Sequence, residues 1–98
     1  LINTDIQTPT KVVILSMVDD DKYAYSLAEY LRENNIETEV FSKEDSIKKQ
    51  LKYADRLNIP FVIFIGEEEV ENNNYSVKDM KKGEQVKIKM EEIIKYIS

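Results

Sequence analysis

Two short apolar runs constrain this chain more than anything else in it: V-V-I-L-S-M at residues 12–17 and F-V-I-F-I at 61–65. A strand with one wet face alternates apolar and polar residues. A run without alternation needs cover on both faces, which happens where helices pack on both sides of a mostly parallel sheet. The segments between the runs suit that arrangement. Ala24, Leu27, Ala28 and Leu31 recur at helical spacing, as do Ile47, Leu51, Ala54 and Leu57, with a second strand at 37–41 between them.

Punctuation supports the same division. Asp19, Asp20 and Asp21 supply N-cap and first-turn acids for the first helix, where they meet the positive end of its dipole. Asn34-Asn35 stops it, because Asn tolerates the left-handed conformation that a helix C-cap often needs. Ser42 and Asp45 bracket the start of the second helix, and Pro60 ends the element that follows. After the third strand, Asn72-Asn73-Asn74 reads as a turn and 75–80 alternates loosely. Lys82-Gly83 turns again, 85–89 alternates, and Met90, Ile93, Ile94 and Ile97 make a last amphipathic helix. The order β-α-β-α-β-β-β-α predicts an α/β domain of three layers, α/β/α, on a five-stranded mixed sheet. Helical crossovers make the first three strands parallel. Turns join the last three, so at least one of them is antiparallel. Sites in such sheets form at the carboxyl ends of the parallel strands, here 19–21, 42–45 and 66–69.

Composition removes several chemistries. The chain has no cysteine and no histidine, so it lacks a disulfide framework, thiolate metal ligands and the commonest general base. No catalytic or metal-binding set emerges. The longest apolar run is far too short to cross a bilayer, and a cytoplasmic domain is expected. Residues 1–10 carry no period and read as a lead-in, 11–98 as the domain. The start at Leu1 rather than Met suggests a piece of a longer protein.

The net charge of −5 opposes bulk attraction to nucleic acid. Its distribution is uneven. Residues 1–45 carry four basic and ten acidic side chains, whereas 46–98 carry ten basic and nine acidic.

Three constellations stand out. The first is V-I-L-S-M-V-D-D-D at 13–21, an apolar strand followed by aspartates, as in a Mg²⁺-dependent phosphoacceptor receiver. Such a receiver also needs an Asp at the end of the third strand, where this chain has Gly66 and Glu67. The second is Lys48, Lys52 and Arg56, with Lys49 beside them. Spaced i, i+4, i+8, they form either a phosphate-contacting line or the solvated back of a helix. The third is G-E-E-E at 66–69 followed by Lys78. Glu69 can accept from base amino groups, Lys78 can donate to base carbonyls or ring nitrogens, and Tyr75 offers a ring for stacking. Single-stranded RNA loops are read by such groups. A turn with solvating acids accounts for the same residues.

Further stretches bear on the choice: Leu31-Arg32, Ile36, Glu39-Val40, I-K-K-Q-L-K-Y-A at 47–54, G-E-E-E-V at 66–70, V-K-D-M at 77–80 and Gly83-Glu84-Gln85. In that order they resemble the C-terminal anticodon-binding domain of class II aminoacyl-tRNA synthetases, most nearly the histidyl branch. The nine-residue separation of Glu69 and Lys78 is the most specific part. The resemblance implies that Glu69 and Lys78 lie in the anticodon-binding face; Gln85 and Lys49 match family positions, and Tyr75 stays a candidate by its ring alone. It implies a tRNA partner and no cofactor in the domain itself. ATP and Mg²⁺ would serve the catalytic domain of a parent histidine-tRNA ligase, usually a homodimer. A non-catalytic paralogue or accessory subunit reusing the domain is the alternative. Asn35 and Asn58 stand where the family usually has glycine.

Overall fold

The computed structural model describes residues 10–41 and 47–97. Its elements are β1 (Val12–Ser16), α1 (Lys22–Glu33), β2 (Thr38–Phe41), α2 (Ile47–Arg56), β3 (Phe61–Ile65), α3 (Glu67–Asn72), β4 (Tyr75–Asp79), β5 (Glu84–Ile88) and α4 (Met90–Ile97). They build one five-stranded sheet in the order β2-β1-β3-β4-β5. β1 pairs in parallel with β2 and β3, while β4 is antiparallel to both β3 and β5. The mixed sheet and the parallel first half are as expected.

The continuous apolar runs are explained by what lies on each side of them. Val12 and Ile14 of β1, Ile63 and Ile65 of β3, and Tyr75 and Val77 of β4 share one buried cluster. Ala24, Leu27, Ala28 and Leu31 of α1 and Ile93 and Ile97 of α4 complete it. The alternate residues, Val13 and Leu15 of β1 and Val62 of β3, face the other way and pack with Ala54 of α2 and Ile59. Each fully buried Val, Leu or Ile contributes roughly 1.5–3 kcal/mol relative to exposure, so β1 and β3 anchor both layers at once.

One helix was not anticipated. Glu67–Asn72, expected to be a turn between strands, is α3, which lengthens the order to β-α-β-α-β-α-β-β-α. Three consecutive glutamates place negative charge in its first turn, which favours a helix N-terminus, and the Glu69 carboxylate accepts a bond from the Gly66 N–H at 2.8 Å. With Val70 as its single half-buried apolar residue, so short an element shows no 3.6-residue stripe.

The expected inward stripe of α2 is also revised. Ala54 is buried and Leu51 half-buried, but Ile47 is 40% and Leu57 49% exposed. The helix is rolled toward Tyr53, whose ring meets Phe41 edge-on with centroids 5.7 Å apart. The bracket of Ser42 and Asp45 lies outside the described residues. At α1, Asp20 rather than the N-cap Asp21 provides the side-chain bond, accepting from the Lys22 N–H at 3.0 Å.

The asparagines behave as expected. Asn35 and Asn58, together with Asn73, are the described non-glycine residues with positive φ, at 64°, 59° and 56°. Each follows a helix. The next N–H after each turns back to a carbonyl five residues earlier: Ile36 to Leu31, Ile59 to Ala54 and Asn74 to Glu69. This bonding satisfies carbonyls that a helix end otherwise leaves without partners.

Candidate nucleic-acid interface

The two sheet faces are covered unequally. α1 and α4 pack on the face that carries Tyr75 and Val77 of β4. On the opposite face, the packing of α2 is centred on β1 and β3. Strand alternation then places Ser76 and Lys78 of β4 and Gln85 and Lys87 of β5 on the less covered half. The register sets Lys78 opposite Gln85, and Ser76 opposite Lys87. Across the other edge of β4, Lys78 is opposite Val62 and Ser76 opposite Phe64. The result is a polar strip two strands wide, with the rim of the α2 layer along one side.

Lys78 and Gln85 are therefore true neighbours, as cross-strand partners on one surface. Glu69 is not part of that pair. It lies at the carboxyl end of β3 on α3, is only 8% exposed, and both of its oxygens have partners inside the domain. Oε1 accepts from the Gly66 N–H and Oε2 accepts from the Ser76 hydroxyl at 3.0 Å. The ammonium beside Glu69 is that of Lys87, 3.6 Å from Oε2. Burial pushes the Glu69 carboxyl up, but the bonds from Gly66 and Ser76 outweigh it and hold its pKa below the ordinary glutamate value. In this arrangement Glu69 ties α3 to β4 through both of its oxygens.

Gly66 has a related role. Its φ of −111° is open to any residue. An added Cβ would lie 2.8 Å from Glu69 Oε1, so a larger residue would push that carboxylate, the far end of a flexible side chain, away from the Gly66 N–H.

Tyr75 is corrected outright as a stacking surface. Its ring is 9% exposed and belongs to the core cluster under α1 and α4, on the face away from Lys78. Burial raises its hydroxyl pKa. A β4 residue with odd number faces the core here, and sequence alone did not fix that parity.

Lys87 is the functional candidate that sequence reading passed over. It donates to Glu68 at 2.6 Å while its side chain remains 44% exposed. The bond to Glu68 is the main reason its pKa is raised. The period-two pattern of Gln85 and Lys87 was the signal that could have found it.

Lys48, Lys49, Lys52 and Arg56 all lie on the exposed side of α2. That placement fits either phosphate contact or simple solvation.

At the carboxyl ends of the strands, where a site was expected, the surroundings are mainly acidic. A recess of about 310 Å³ does open there, between Val18, Asp20, Tyr23, Glu67, Val70 and Glu71. Its three carboxylates disfavour a phosphate backbone. The cationic groups instead run along β4 and β5 toward the amino end of β3. No group of three or more His, Cys, Asp or Glu among the described residues could hold a metal ion, and no described helix is long and apolar enough to cross a membrane.

A five-stranded mixed sheet with helices on both faces and a polar half-covered margin defines the class as a small α/β domain. The chain belongs to the anticodon binding domain family, whose model matches residues 11–98. It is 39% identical over 90 residues to the histidine-tRNA ligase of Clostridium tetani, a match spanning 92% of this chain and 20% of that protein. With the Staphylococcus aureus histidine-tRNA ligase the identity is 38% over 96 residues, 97% of this chain and 23% of the relative. The chain thus corresponds to roughly a fifth of the length of these relatives.

Solved structures agree. The apo S. aureus histidyl-tRNA synthetase superposes with a TM-score of 0.78 at 38% identity, covering 99% of this chain and 29% of that one. The histidyl-tRNA synthetase of Nostoc sp. PCC 7120 gives 0.82 at 28% identity, over 92% of this chain and 22% of that one. The RNA binding domain of Cryptosporidium parvum threonyl-tRNA synthetase shares the fold, with a TM-score of 0.81 at 17% identity over 92% of this chain and 23% of that one. The domain is an anticodon-binding domain homologous to that of histidine-tRNA ligases.

Proposed function

We propose that the strip of Lys78, Gln85 and Lys87 binds the anticodon loop of a histidine tRNA on behalf of a histidine-tRNA ligase. The observation that carries this reading is the cross-strand pairing of Lys78 with Gln85 on the half-covered face. Lys78 donates to base carbonyls or ring nitrogens. Gln85 both donates and accepts, so together they can read the exposed edges of unstacked bases. Lys87, and on the neighbouring helix Lys52 and Arg56, supply phosphate contacts that set the register of the loop without reading it.

We infer the wider protein from the family resemblance. A catalytic domain would activate histidine with ATP and Mg²⁺ and transfer it to the tRNA, in a cytoplasmic homodimer. This domain contributes binding energy that positions the distant acceptor end. Its loss then lowers tRNA use and spares amino-acid activation.

An NMR titration of the chain with two short RNA hairpins tests the proposal, one carrying a GUG loop and one a scrambled loop. Shifts at Lys78, Gln85 and Lys87 that are strong for GUG and weak for the control are expected. Equal shifts for both loops would reduce the face to phosphate attraction. No shifts at about millimolar RNA would favour a domain reused for protein docking.

A further inference from the structure

The recess at the carboxyl ends of β1 and β3 is more than a patch of acidic surface. Val18, Asp20 and Tyr23 bound it at the start of α1, and Glu67, Val70 and Glu71 of α3 bound it on the other side, around about 310 Å³. Val18, Tyr23 and Val70 are half-buried, the last two against the core cluster, while the three carboxylates are exposed at the rim. Such a volume holds a small organic molecule. We propose that the recess binds a linear aliphatic polyamine, with its ammonium groups at Asp20, Glu67 and Glu71 and its methylene chain along Val18, Val70 and the Tyr23 ring. The site uses neither Lys78 nor Gln85 and is independent of the RNA-binding strip.

The spacing of the acids selects an extended cation over a point charge. No three acidic groups among the described residues come close enough together to hold one metal ion. A compact ion such as Mg²⁺ therefore finds no cage here, whereas charge distributed along a chain meets the carboxylates one by one. Glu67 and Glu71, four residues apart on α3, share a helix face with Cβ atoms about 5–6 Å apart. Asp20 faces them from the α1 side of the recess. An anionic ligand is repelled by the same three groups.

Two further observations point to an ammonium. The first is that one already rests at the rim. Lys22 Nζ lies 3.7 Å from Asp20 Oδ2 and 5.3 Å from the centroid of the Tyr23 ring, held by the carboxylate and by the negative face of the ring. Its side chain is 67% exposed, so it can yield that place to a ligand. The second is Ser16, which ends β1 at 1% exposure with no hydrogen-bond partner for its hydroxyl oxygen. Burying a hydroxyl without a bond is costly. Alternation turns Ser16 to the α1 side of the sheet with Val12 and Ile14, beneath the segment that runs through Val18 into α1. An N–H of a bound ammonium supplies the donor that this oxygen lacks within the fold.

The test is an NMR titration of the chain with spermidine, repeated with Mg²⁺ at equal charge concentration. Spermidine should produce saturable shifts at Val18, Tyr23 and Val70 that Mg²⁺ does not reproduce. Glu67→Gln combined with Glu71→Gln alters two exposed side chains and keeps the fold. It should weaken spermidine roughly tenfold, the worth of two ion pairs at a wet rim. Glu33→Gln combined with Glu84→Gln removes the same charge at the other end of the sheet and should leave affinity within about twofold, since screening attenuates charges that far away. Lys22→Ala should tighten binding by releasing Asp20 and the ring. Lys82→Ala makes the same charge change in the 79–83 turn and should not. Equal affinity for the two double variants, equal tightening by the two lysine variants, or matching shifts with Mg²⁺ would reduce the recess to diffuse acidic surface and overturn the site. Absence of saturable spermidine shifts at about millimolar concentration would overturn it as well.

Discussion

The two faces of this sheet share their strands but have opposite fates. On one, α1 and α4 leave Ile14, Ile63 and Val77 with no exposure. On the other, the same β4 that buries Val77 turns Lys78 outward, beside Gln85 of the edge strand. The difference lies in the helices. Two cover the first face, whereas on the second, among the described residues, α2 packs on β1 and β3 and α3 reaches Ser76 of β4 through Glu69. A sheet wider than its covering layer must finish in polar residues, and those residues are then available for recognition. Burial and exposure are thereby separated by one residue along the strand.

The largest expected effect tests the covered face. Ile63→Ala removes a fully buried side chain at the centre of the first cluster and should cost about 2–5 kcal/mol, depending on how far the site collapses. Gln85→Ala, on the open half, should change stability by less than about 0.5 kcal/mol. Urea denaturation of both variants checks the contrast. Similar losses would mean that the strip is part of the structural core.

Glu69 stands between the two regimes. Glu69→Ala strands the Gly66 N–H and the Ser76 hydroxyl, an expected loss of about 1–3 kcal/mol. The pH dependence has a definite sign. The folded carboxyl titrates below its unfolded value, so its contribution is complete above the ordinary glutamate pKa of about 4.3. It is lost as pH falls from there through the lower folded value. Denaturation midpoints of wild type and Glu69→Gln between pH 3 and 7 should show this acid loss in wild type and its attenuation in the variant. Parallel curves would remove Glu69 from the stabilising set.

Lys78→Ala reverses the pattern. Stability should hold within about 0.5 kcal/mol, while affinity for a cognate loop falls by about 1–3 kcal/mol if Lys78 meets a base edge. A phosphate contact would instead weaken all loops alike and flatten the salt dependence by about one unit of slope. Titrations at several salt concentrations separate the two.

This division also explains what the sequence disclosed. The runs through Val12 and Phe61 were legible because double-sided burial leaves no room for polar residues. The stripe of α1 was legible because burial on one side alone sets apolar residues at helical spacing. α3 was not, since a six-residue helix held by charge and one capping carboxylate has no apolar period to display. The site was half legible. Lys78 and Gln85 stood out by type and resemblance, but burial of Tyr75 and the internal engagement of Glu69 depend on which side of β4 faces α1. A loosely alternating strand does not announce that parity. Lys87 shares a period of two with Gln85, but its place opposite Ser76 and beside Glu68 and Glu69 depends on the β4–β5 register and on α3, neither of which a motif along β5 displays.

The smallest expected effect uses the asparagine turns, which end helices on both sides of the sheet. Asn35 closes α1 over the covered face and Asn58 closes α2 beside the open one. A left-handed residue with a Cβ costs roughly 1–2 kcal/mol, less for Asn, and glycine removes that cost while adding unfolded-state entropy. Asn35→Gly and Asn58→Gly should therefore each raise stability by a few tenths of a kcal/mol. Asn34→Gly is the opposing control. Its φ is −101° and its side-chain amide donates to the Tyr30 carbonyl at 2.8 Å, so glycine there relieves nothing and should destabilise. Thermal denaturation reads all three. If Asn35 and Asn58 respond alike in stability while only Asn58→Gly alters RNA binding, the helix ends are equivalent as structure and differ only in the face they border. A binding change in Asn35→Gly of equal size would instead show that the covered layer transmits to the strip, and the separation of the two faces would fail.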